Sequence, residues 1–253
     1  MPQPELVYLT YSPWSEKARW ALEHHAVPHT RVHYQPMLGE PAMRLRTRNW
    51  TGTVSVPVLF EGGRCHRDSC DIARFAERVG NGTPLFPEEH ESAIERWDAL
   101  GQAGLAAGRA LGLVKVLEDR EALSDLVPKG LRRILGPAAL PIAAFGVRRT
   151  QRKYGAVREN AAEHQGTLRD TLEALREALQ PTEGPGPDTV LGRFSYADIT
   201  IAQVVQFVSP KNIGRFRLAP ASQRAYHRAD LEREFADLVQ WRDALYAHHR
   251  EPS

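Results

Sequence analysis

The sequence predicts an α/β domain of roughly 80 residues followed by an all-α domain. Three observations carry this reading. Short β-prone runs alternate with helical patterns between Leu6 and Val79. A dense cluster of turn residues, Gly80-Asn81-Gly82-Thr83-Pro84, comes next. Beyond it the strand signals stop and apolar residues recur at helical spacing. The expected organisation is therefore a first domain over residues 1–80, a linker over 81–88 and a helical domain over 89–253.

Leu6–Thr10 reads as a short strand closed by Ser12-Pro13. A helix over 14–25 follows, with Trp14, Ala18, Ala21, Leu22 and His25 on one stripe, until Val27-Pro28 breaks it. Thr30–Tyr34 is a second strand and 39–49 a short helix. Val56–Phe60 and Arg64–Arg67 flank Glu61-Gly62-Gly63 as a hairpin. Asp68 is a natural N-cap for a helix carrying Ile72, Phe75, Ala76 and Val79 on one face. Further on, Glu88–Gly108, residues 158–179, Tyr196–Phe207 and Leu231–His248 read as helices.

Bulk properties exclude several classes. Of 253 residues, 42% are apolar and 25% charged, an ordinary profile for a folded domain. A net charge of +2 does not argue for a nucleic-acid binder. No run of about 18 apolar residues is present, so no spanning helix is expected. The first residues lack the pattern of a signal peptide. Cys65 and Cys70 form no C-x-x-C pair, and a reduced, cytoplasmic setting is expected. Histidines cluster at 24, 25, 29 and 33, but a helix break divides them and no metal site is expected.

Three short stretches could carry chemistry. In Ser12-Pro13-Trp14-Ser15, proline suits the first helical position and Ser12 the N-cap, beside unpaired N–H groups and the positive end of the helix dipole. Ser12 can simply cap the helix, or its hydroxyl can steady an anion such as a thiolate. In Val56-Pro57-Val58-Leu59, proline can open a strand; if the Val56–Pro57 bond is cis, the N–H and C=O of Val56 become free to pair with a ligand's main chain. In Asp68-Ser69, a hydroxyl and helix N–H groups suit a carboxylate while Asp68 suits an ammonium, although a plain capping motif reads the same way.

In this order and spacing the three stretches resemble the glutathione S-transferase superfamily, serine-type and bacterial-like. Gly192-Arg-Phe-Ser195-Tyr-Ala-Asp198-Ile adds to the resemblance, as a helix start in which Ser195 caps, Asp198 reaches back and Phe194 staples onto Ile199. The resemblance implies a thioredoxin-like N-terminal domain, an all-α C-terminal domain and a homodimer. It implies glutathione as cosubstrate, with Ser12 donating to its sulfur, Val56 pairing with the cysteinyl backbone, and Asp68 and Ser69 holding the γ-glutamyl end. Serine at both 12 and 15 excludes dithiol exchange there. The basic residue that such proteins often carry before the Val-Pro pair is Ser55 here; Arg44, Arg46, Arg48 and His33 are candidate replacements. Tyr8 and Tyr11 lie near the same strand end, with Tyr11 ranked below Ser12. The implied reaction is thiolate attack on an apolar electrophile, with a glutathione-dependent isomerase, lyase or β-etherase, or a non-catalytic ligand-binding or interaction protein, as alternatives.

One segment stands apart. From Lys129 to Arg158 there are eight basic residues, and no acid occurs between Asp125 and Glu159. A Pro-broken apolar run, Ile134–Phe145, lies inside it. This segment can wall a pocket for an anionic, apolar substrate, attach to acidic lipid headgroups, or form a solvated basic face; of these, membrane-surface contact is not the expected one.

Overall fold

A computed structural model of the chain describes residues 3–36, 38–127, 129–156 and 158–250. Its first part is a four-stranded mixed sheet in the order β2-β1-β3-β4. β1 (Glu5–Tyr8) is followed by α1 (Pro13–His24) and β2 (Thr30–His33), which pairs parallel to β1. Then come α2 (Glu40–Thr47) and the antiparallel hairpin β3 (Val58–Glu61) and β4 (Arg64–His66), with β3 also antiparallel to β1. α3 (Ser69–Val79) completes a thioredoxin-like domain.

Strand alternation decides which helix covers which face. Leu6 and Leu59 are fully buried against Ala18, Ala21, Ile72 and Ala76 of α1 and α3. Their neighbours Val7 and Val58 point the other way, onto Met43 of α2 and Val54. Ser12 caps α1, Asp68 caps α3, and Pro13 occupies the first position of α1.

The remainder is helical: α4 (Glu91–Glu118), α5 (Arg120–Asp125), α6 (Lys129–Leu135), α7 (Ala139–Tyr154), α8 (Ala161–Ala178), α9 (Tyr196–Val205), α10 (Pro220–Tyr226), α11 (Ala229–Glu234) and α12 (Ala236–His249). α4 runs ten residues past the Gly108 end that the spacing predicts. Its glycines do not break it; they admit neighbours. A Cβ at Gly108 would lie 2.4 Å from Phe207, and one at Gly112 only 2.0 Å from the Tyr226 ring. The helix expected over Leu231–His248 is two helices meeting at Phe235, and the one expected to reach Phe207 stops at Val205. The basic segment, with its Pro-broken apolar run, folds into α6 and α7; the side chain of Lys129 lies outside the described residues. No helix among the described residues is long and apolar enough to cross a membrane.

α9 is buried along its whole length and is held by its capping box. Ser195 N–H and Ser195 Oγ donate to Asp198 Oδ2 at 2.9 and 3.0 Å, and Val190 N–H donates to Oδ1 at 2.9 Å. Phe194, whose ring the sequence would staple onto Ile199, lies face to face on His249 at 3.8 Å.

The linker is pinned from both sides. Glu77 accepts the N–H groups of Leu85 and Phe86, and Leu85 accepts Tyr196 N–H at 2.9 Å. α1 is buried on nearly every side, and three of its charged residues, Glu16, Lys17 and Arg19, lie inside. Lys17 pairs with Asp98 of α4 at 2.6 Å, Glu16 with Arg19 at 2.7 Å, and Arg250 with Glu16 at 2.9 Å.

Burial holds His25 and His249 down to about 4, with a neighbouring histidine adding to the effect in each case. The unfolded chain takes up these protons near pH 6.5, before the folded one does. Stability is therefore full above pH 6.5 and is lost as pH falls toward 4. Asp198, raised by burial to about 6, opposes this between pH 6 and 4 but does not cancel two histidines. Thermal melts between pH 7 and 4 are expected to show a falling Tm, with a flatter curve for His249→Phe.

Candidate functional site

The sheet register gathers the three sequence stretches at one end. Val7 pairs with Val58, so continuing the ladder sets Leu9 opposite Val56. Leu59 pairs with His66, which sets Asp68 opposite Pro57 on the other side of β3. Ser12, Val56 and Asp68 therefore border one edge of the sheet, in that order across β1, β3 and the end of β4.

Each has its own geometry. Ser12 Oγ accepts the Ser15 N–H at 3.3 Å, and its hydroxyl proton is not used by any described residue. Ser12 is 9% exposed, whereas Ser15 is sealed, with its own Oγ accepting Leu9 N–H at 3.1 Å. The negative charge of Glu16 in the first turn of α1 is offset by Arg19 and Arg250. The Val56–Pro57 bond is cis, and the N–H and C=O of Val56 make no hydrogen bond among the described residues. Asp68 is exposed and accepts Asp71 N–H at 2.8 Å. Ser69 is 1% exposed, and its shielded hydroxyl lies against the buried phenol of Tyr196.

Among the four basic candidates near Ser55, the structure separates the roles. Arg44 donates to the carbonyls of Asn49, Trp50 and Gly52 and to Glu40, so it shapes the loop before Pro57. Arg46 pairs with Glu5 at 2.6 Å and lies over Phe60. Arg48 is exposed at a left-handed position, and His33 is exposed on the edge strand against Tyr8. A fifth cation comes from α7: Lys153 Nζ donates to the Val54 carbonyl. One turn earlier, Arg149 makes a two-point contact with Glu40 at 2.9 and 3.1 Å, which holds the Glu40 carboxyl below its usual range. Thus α7 crosses from the helical part and closes onto the loop that carries Val56.

The other wall is aromatic. Tyr11 precedes Ser12 and is surrounded by Tyr34 and Tyr226; burial pushes its phenol far up, so it stays neutral. Arg109 of α4 lies between the rings of Trp14 and Tyr154, 4.6 and 3.6 Å from their centroids. Cys70 is no ready thiolate source: burial pushes it up to about 11.

Residues 11–79 match the family description "Glutathione S-transferase, N-terminal domain". Over its length the chain is similar to a glutathione S-transferase from Methylobacillus flagellatus KT solved with glutathione bound. The two are 15% identical, with a TM-score of 0.61 and 99% of this chain and 100% of that one covered. The corresponding figures for a Ceriporiopsis subvermispora glutathione S-transferase in complex with glutathione are 18%, 0.59, 98% and 95%. The first domain therefore matches the glutathione S-transferase N-terminal family, and the chain as a whole shares the fold of these structures. A third glutathione S-transferase, from Methylobacterium radiotolerans JCM 2831 in complex with glutathione sulfonate, is 18% identical with a TM-score of 0.57, covering 98% and 92% of the two chains. No curated protein matches the sequence. At these identities the likeness to solved structures is one of fold.

Within the candidate site, sequence reading reached the groups at element ends and missed those brought in from afar. Arg109, Lys153, Tyr154 and Tyr226 join the site only through packing of α4, α7 and α10. The acid-free stretch around α7 was the one available signal for Lys153.

Proposed function

We propose that this chain is a serine-type glutathione transferase, acting as a homodimer in the cytoplasm, with residues 1–80 binding glutathione and residues 89–253 taking the electrophile. The observation that carries the reading is Ser12: an N-cap whose oxygen is engaged by Ser15 N–H while its proton is left to donate. A thiol with a pKa of about 8.5 is mostly protonated at neutral pH, and lowering it by two units takes about 2.7 kcal/mol. One charge-assisted hydrogen bond at the mouth of a 12-residue helix is of that order. Val56 N–H and C=O are available for the cysteinyl main chain, and exposed Asp68 for the γ-glutamyl ammonium, with the Ser69 end of α3 for its carboxylate. The sulfur then attacks the electrophile from the Ser12 side, forming the C–S bond as the leaving group departs.

The test is retention on immobilised glutathione together with turnover of an activated aryl halide. Both are expected. Loss of retention overturns the reading, and retention without turnover on a broad electrophile panel transfers support to a glutathione-dependent isomerase, lyase or β-etherase, or to a carrier.

A further inference from the structure

Arg109 is a cation without an anion. It forms no ion pair or hydrogen bond with any described residue, and its Nε is shielded from solvent. Arg109 itself is half-buried, and the more deeply buried cations are treated differently: Lys17 has Asp98, Arg19 has Glu16, Arg242 has Asp243 and Arg250 has Glu16, all within 3 Å. Leaving even a partly desolvated guanidinium unpaired is costly. Ring faces recover part of that cost. They also fix the guanidinium plane between Trp14 and Tyr154, so its fork is oriented before any ligand arrives.

The position matters as much as the charge. Trp14 stands two residues after Ser12 on α1 and Tyr11 one before it. Tyr226 neighbours both Tyr11 and Arg109, and Tyr154 neighbours both Tyr34 and Arg109. Three aromatic side chains, Trp14, Tyr154 and Tyr226, thus flank one planar cation beside the Ser12 helix start, with Tyr11 and Tyr34 next to them. Aromatic walls favour a flat apolar body, and a guanidinium fork favours a two-oxygen anion.

We propose that Arg109 receives the carboxylate of an aromatic second substrate, so that the enzyme selects aryl carboxylates over their neutral counterparts. This rests on the transferase reading only for what happens to the ligand afterwards; the anion site itself requires no thiol.

Two measurements test it separately. In the first, without glutathione, naphthoate and naphthamide are titrated against tryptophan fluorescence or by calorimetry. The wild-type protein is expected to bind naphthoate about 10- to 100-fold more tightly. Arg109→Gln is expected to abolish that preference, and Arg109→Lys to keep part of it. Equal binding of the two probes by the wild type overturns the proposal without recourse to any variant, as does an undiminished preference in folded Arg109→Gln. In the second, glutathione displaces chloride from a chloronitrobenzoate and from the matching chloronitrobenzamide, the C–S bond forming as chloride leaves. The ratio of the two kcat/KM values is expected to collapse in Arg109→Gln while KM for glutathione stays unchanged. A merely structural clamp between Trp14 and Tyr154 would lower Tm and leave that ratio intact, overturning the proposal. If naphthoate binding depends on Arg109 but neither aryl chloride reacts, the transferase reading fails and the anion site stands. If both react with no dependence on Arg109, the anion site fails alone.

Discussion

Ser12→Ala is expected to lower kcat/KM for conjugation about 100-fold, with little change in the dissociation constant for glutathione. The substitution removes one donor to a charged sulfur, a loss of the size seen when an oxyanion donor is deleted. In the proposed binding mode, glutathione is held by Val56, Asp68 and the α3 end rather than by residue 12. The same variant should raise the apparent pKa of the bound thiol toward about 8.5, the value of a free one. Ultraviolet thiolate absorbance as a function of pH reads this directly. Alanine also withdraws the N-cap, at about 1 kcal/mol of stability. Ser12→Thr serves as control because it keeps both cap and donor. A Ser12→Ala enzyme with an unshifted thiol pKa would refute the assigned role.

Asp198→Ala should give the largest loss of stability from a residue remote from the candidate site. Three donors converge on that carboxylate in a fully buried setting. Removing it strands the N–H groups of Val190 and Ser195 and the Ser195 hydroxyl. At about 1–3 kcal/mol per stranded group, a total of about 3–5 kcal/mol is expected. For a chain of this size that corresponds to roughly 10 °C in Tm. Asp198→Asn retains one acceptor oxygen and should lose less. Calorimetry on the two variants checks the order, and an alanine variant that melts with the wild type would show that water replaces the carboxylate.

Much of the first domain was legible because its signals are local. Ser12-Pro13 and Asp68 start helices by satisfying N–H groups within three residues, and the Leu6/Val7 alternation sorts the two sheet faces by itself. The capping box at Ser195 and Asp198 is local in the same sense. The helical part was harder for two physical reasons. Gly104, Gly108 and Gly112 look like breakers, yet they are notches that let Thr171, Phe207 and Tyr226 approach the α4 backbone. Prolines at 137 and 141 interrupt the apolar run, yet they fall where a helical turn begins, so α6 and α7 still form. For the candidate site, Ser12, Val56 and Asp68 were visible because strand ends carry them. Arg109 was not, since nothing near it in sequence marks it; its significance lies in the carboxylate that packing fails to supply.

The charges buried along α1 have a consequence for how the molecule can come apart. Lys17 faces Asp98, while Glu16 and Glu23 face Arg250, so each side of the boundary holds the counterions of the other. Cutting the chain in the Gly80–Phe86 stretch would expose no ready-made halves: the sheet fragment would keep unneutralised ions on its principal helix, and the helical fragment would keep theirs. The polypeptide is in this respect a single cooperative body, whose two architectures are joined less by their tether than by an exchange of opposite charge.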